Sequence, residues 1–100
     1  MDVTEAVVLA KEYVSKVFDE DKITGMGLEE VEFNEFGDEW EITIGFFQPW
    51  NVSLKSGSLS QVAFGGQPEY VGRRSYKVVR IKNNDGQVVS IRDRILEPKK

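Results

Sequence analysis

The chain has 100 residues, 40% of them hydrophobic, with 17 acidic and 13 basic side chains and a formal net charge of −4. That length and apolar content fit one domain around one packed core, and they argue against wholesale disorder. Cysteine and histidine are both absent, which excludes disulfides and thiolate metal sites and removes the commonest general base and zinc ligand, so no catalytic residue, metal ion or cofactor is expected.

Asp2-Val3-Thr4-Glu5 reads as a helix start, a capping acid with a glutamate three residues later ahead of an apolar run. Val7, Ala10, Val14, Val17 and Phe18 then recur at steps of three and four and make one apolar stripe, predicting a helix over about 3–18. The run Asp19-Glu20-Asp21 suits the negative end of the helix dipole poorly, so the helix ends near Phe18, and Gly25 and Gly27 are expected to turn the chain.

Residues 28–36 and 39–47 alternate apolar and polar side chains, Val31 and Phe33 in the first, Trp40, Ile42, Ile44 and Phe46 in the second. The Gly37-Asp38 connection between them leaves room only for an antiparallel hairpin. A second hairpin pairs strands over 71–82 and 87–95 around Asn83-Asn84-Asp85-Gly86, with Val79, Ile81, Val89 and Ile91 directed at the helix. Residues 48–70 form a long connection rich in Gly, Ser and Pro, a length that is usually functional, disordered or conceals an irregular strand. The predicted architecture for residues 1–100 is therefore a single α+β domain, one N-terminal helix packed on a four-stranded antiparallel sheet.

Charge divides sharply along the chain. Residues 1–50 hold 3 basic and 13 acidic side chains, whereas residues 51–100 hold 10 basic and 4 acidic. The acids Glu30, Glu32, Glu39 and Glu41 of the first hairpin can pair with Arg73, Arg74, Lys77, Arg80, Lys82, Arg92 and Arg94 near the second, which helps decide which strands become neighbours. This structural use of the basic residues outweighs a nucleic-acid surface, since nucleic-acid-binding domains are normally basic overall. No apolar run approaches the length of a membrane span, and the acidic N-terminus does not read as a signal peptide, so cytoplasmic residence without membrane contact is expected.

The order helix, hairpin, long loop, hairpin resembles a cystatin-like layout, and the stretches LEEVEFNEFGDEWEITIGF and YKVVRIKNNDGQVVSIRDR look like the strand pairs of small PepSY-type domains. Gln61-Val62-Ala63-Phe64-Gly65 is similar to the Gln-x-Val-x-Gly loop with which cystatins enter the cleft of papain-like proteases, although Pro49-Trp50 precedes it here and the family's Pro-Trp pair follows it. The resemblance implies a cysteine protease inhibitor as one reading.

A lone helix covers only one face of a four-stranded sheet, so the other face needs water, a loop or a partner. Thr43, Gly45, Phe47, Val78 and Val88 are expected there, next to a long loop bearing Trp50, Phe64 and Tyr70. The leading expectation is a non-enzymatic module that binds a protein partner or a second copy through Phe47, Trp50, Phe64 and Tyr70. The rival is a small-ligand pocket between helix and sheet, provided that Phe18, Phe33, Trp40 and Phe46 do not fill that space.

Overall fold

A computed structural model describes residues 1–54 and 70–94, with side chains for residues 1–50 and 72–94. Helix α1 (Val3–Val17) starts where the capping signal stands: Asp2 Oδ1 accepts a hydrogen bond from the Glu5 N–H at 2.8 Å. Ala6, Ala10 and Val14, four residues apart, form its fully buried stripe. The helix ends at Phe18, the acidic run Asp19–Asp21 makes a single 3-10 turn, and Lys22 reverses the chain at φ +51°.

Four strands follow, β1 (Thr24–Asn34), β2 (Glu39–Leu54), β3 (Tyr70–Lys82) and β4 (Val88–Asp93). They form one antiparallel sheet in the order β1-β2-β3-β4, each joined to its neighbour in sequence. The class is α+β with one N-terminal helix, as the periodicity predicts. Ile42, Ile44 and Phe46 of β2 and Val79 and Ile81 of β3 meet the helical stripe, all at 0% exposure. The Phe18 ring lies 5.2 Å from that of Phe46, and Phe33 meets Trp40 edge-on at 4.8 Å. Trp40 donates its indole N–H to Asn83 Oδ1 at 3.0 Å, tying the core to the β3–β4 turn.

Three local expectations are corrected. Gly25 and Gly27 do not make the turn out of the helix; Lys22 does, and both glycines lie in β1, which starts at Thr24 rather than at 28. Two irregularities in pairing, between Thr24 and Gly27 and between Leu28 and Glu30, absorb the extra residues, and Gly25 supplies the positive φ of +64° that one of them needs. Second, β2 runs on to Leu54 and β3 begins at Tyr70, so the expected connection 48–70 opens and closes as strand; residues 55–69 lie outside the described part. Third, Ile81 pairs with Val88 whereas Arg80 pairs with Ser90, which leaves Val89 as the extra residue of a bulge, 43% exposed. Because a slip of one residue exchanges the two faces of a strand, Val88 packs on the core in the place expected for Val89, and it is absent from the helix-free face.

Candidate functional site

The pairing of β2 with β3 outlasts their flanks. β1 begins at Thr24 opposite Phe47, and β4 ends at Asp93 opposite Lys77. Beyond Phe47↔Arg74 the two central strands continue as a ribbon through Val52↔Gly72, Ser53↔Val71 and Leu54↔Tyr70. The ribbon starts at a wide irregularity in which Gln48, Pro49, Trp50 and Asn51 stand against Arg73 alone. Proline has no N–H to give to a ladder, so pairing fails there. Gln48 turns inward, 9% exposed, and accepts a hydrogen bond from Ser75 Oγ at 2.6 Å. Trp50 is thrown outward and is 65% exposed.

Phe47, one step before this irregularity, is half-buried on the helix-free face. The Arg74 guanidinium lies 5.0 Å from its ring centroid, and its edge packs on Gly25, where an added Cβ would come within 3.0 Å. Phe64 and the side chain of Tyr70 lie outside the described residues, as does the whole Gln61-to-Gly65 stretch. The structure thus places Phe47 and Trp50 at the root of the ribbon and brings the backbone of Tyr70 opposite Leu54.

The helix-free face carries a charge pattern that alternation along single strands does not display. Glu29, Glu30 and Glu32 of β1 and Glu39 and Glu41 of β2 occupy one half; Arg74, Arg80 and Lys82 of β3, Arg92 of β4 and Arg94 just past it occupy the other. Three bridges cross the midline. Arg80 Nη2 reaches Glu39 Oε2 at 2.7 Å, and that carboxylate is largely buried. Arg74 Nη2 reaches Glu29 Oε1 at 2.9 Å, passing over Gly45, where a Cβ would stand 2.6 Å from the carboxylate oxygen. Arg94 bridges to Glu30 and also donates to Thr43 Oγ1 at 3.0 Å, leaving Thr43 only 4% exposed. Small residues at 43 and 45 thus allow long side chains to span β2. On the helix side Lys77 pairs with Asp93 and lies 5.4 Å from the Phe18 ring.

An open cleft of about 360 Å³ lies at the C-terminal end of α1, lined by Ser15, Phe18, Asp19, Lys22 and Met26 among others. It sits at the rim of the helix–sheet layer, whose interior is filled by Phe46, Ile42, Ile44, Ile81, Val14 and Val79. Among the described residues no three acidic side chains converge as metal ligands would, and no helix is long and apolar enough to cross a membrane. Sequence reasoning missed Phe36, which is fully exposed at the tip of the first hairpin. It also missed Glu29, because the bulge that turns this residue over Gly45 has no signal in the alternation. Comparison with protein-family models, with curated proteins and with solved structures finds no match for the chain.

Proposed function

We propose that the protein is a non-enzymatic binding module that docks a protein partner or a second copy of itself through the root of the β2–β3 ribbon and the sheet face beside it. The observation that carries this reading is Trp50, a tryptophan 65% exposed on a bulge that a proline and an inward-turned glutamine hold in place. A large exposed aromatic loses little side-chain entropy on docking and excludes much water, which is why tryptophan is enriched among residues that dominate binding energy. Phe47 beneath Arg74 lies one step before the irregularity, Tyr70 pairs with Leu54 in the ribbon, and Phe64 stands in sequence between the two ribbon strands.

The test is sedimentation velocity over a wide concentration range, together with crosslinking to candidate partners, comparing the protein with its Trp50→Ser variant. Loss of roughly 2 kcal/mol or more of association energy, about thirtyfold in affinity, is expected for a residue of this kind. The circular dichroism should stay unchanged, because Trp50 contributes nothing to the core. Equal association of both proteins would remove the ribbon root from the contact.

A further inference from the structure

The left–right division of charge on the helix-free face identifies a partner. We propose that this face docks on the same face of a second copy, the two sheets stacking about a twofold axis that runs along the strands, with both helices outside. The inference rests on the binding-module reading and names its occupant.

Three of the five acids on this face are satisfied within the chain, by Arg74, Arg80 and Arg94. Glu32 and Glu41 have no ion pair among the described residues, and neither have Lys82 and Arg92 on the opposite half. The leftover acids are also badly placed for an isolated chain. Glu32 stands directly opposite Glu41 in the β1–β2 register, and like charges across a strand pair are destabilising. Arg80, the cation opposite Glu41, is turned to Glu39 instead. Two carboxylates facing each other on one half, and on the other two cations without an ion pair among the described residues, form a surface complementary to itself.

Self-complementarity also selects the geometry. In an isologous dimer a patch on one copy meets a different patch on the other, and the reciprocal contact follows by symmetry. A twofold axis along the strands lays the β1–β2 half of each copy over the β3–β4 half of the other, so Glu32 and Glu41 approach the region of Lys82 and Arg92 twice over. An in-plane axis across the strands would lay β1 on β1 and oppose acid with acid. With strands about 4.8 Å apart, about 27 Å of β1, β2 and β3 and about 20 Å of the shorter β4 paired, the face covers roughly 500 Å² per copy, about 1,000 Å² in the pair, the lower bound for a specific interface. A contact of that size, held largely by charge, is reversible and sensitive to salt.

Sedimentation equilibrium at low salt and at 0.5 M sodium chloride tests the proposal on four proteins: the unaltered chain, Arg92→Glu, Glu32→Arg, and the double variant carrying both. The expected result is a dimer at low salt that dissociates roughly tenfold more readily at high salt, a similar loss for each single reversal, and recovery in the double variant, where each new charge again meets its opposite across the axis. Circular dichroism checks that each variant is folded, since none of these side chains holds an ion pair within the described chain. A monomer at all concentrations at low salt overturns the proposal, as does a dimer indifferent to both reversals. Trp50→Ser, run in parallel, separates the two ideas. A dimer lost with Trp50→Ser but untouched by the charge reversals sinks the stacked-face arrangement and leaves the ribbon reading intact; the opposite pattern keeps the stacked face and removes the ribbon.

Discussion

The two faces of the sheet are made of alternate residues on the same strands, and they are held by different forces. Toward α1, Ile42, Ile44, Phe46, Val79 and Ile81 exclude water completely, and burying side chains of this size contributes about 1.5–3 kcal/mol each. On the other side Thr43 and Gly45 lie under arginine and glutamate side chains that remain partly solvated, and such exposed bridges are worth about 0–1 kcal/mol each. The first face decides whether the chain folds. The second, apart from the buried Arg80–Glu39 pair, contributes less to stability, which leaves its charge layout available for the proposed recognition.

That contrast can be broken from either side. The largest effect should follow Phe46→Ala, which empties the centre of the helix-facing layer and removes the ring against Phe18. A loss of about 3–5 kcal/mol in denaturant unfolding is expected. Next comes Arg80→Met, which leaves the Glu39 carboxylate buried without its cation. It should cost about 2 kcal/mol, more than the other bridges of that face, because the charge left behind is shielded from water. The smallest effect has the opposite sign. Glu32→Lys relieves the facing carboxylates and should stabilise the monomer by about 0.2–1 kcal/mol in thermal or denaturant unfolding. Under the proposed stacking of two sheets the same substitution should weaken dimerisation, and a stabler chain that no longer dimerises would sharpen the separation between the folding face and the proposed recognition face.

Much of the fold was legible in the residues themselves. The capping acid Asp2, the apolar stripe through Ala10 and Val14, the alternation from Trp40 to Phe46 and the Asp85-Gly86 turn are local signals, and each produced the element it announced, although Ala6 rather than Val7 completes the fully buried stripe and Val17, expected on it, is 49% exposed. The register of β4 was not legible, because Val88 and Val89 are chemically the same and only the bulge decides which of them faces the core. The extension of β2 past Pro49 was hidden for a similar reason: proline breaks the ladder locally, and pairing resumes at Val52 only because β3 runs alongside. Of the expected contact residues, Phe47 and Trp50 lie at the root of the ribbon, whereas Phe64 and the side chain of Tyr70 fall outside the described residues.

Composition and periodicity by themselves determined the class of the domain, the number and order of its elements, and the apolar face of β1, β2 and β3, since these follow from side-chain spacing at 2 residues in strands and 3.6 in the helix. They also showed an acidic half and a basic half of the chain, and that opposite charges would meet. Only the tertiary structure decided how they meet. Strand register and the bulge near Glu29 lay particular arginines across small residues of β2 and leave Glu32, Glu41, Lys82 and Arg92 without ion pairs among the described residues. Which charges remain over depends on distances between strands far apart in sequence, and those distances are set by the packing of the opposite face.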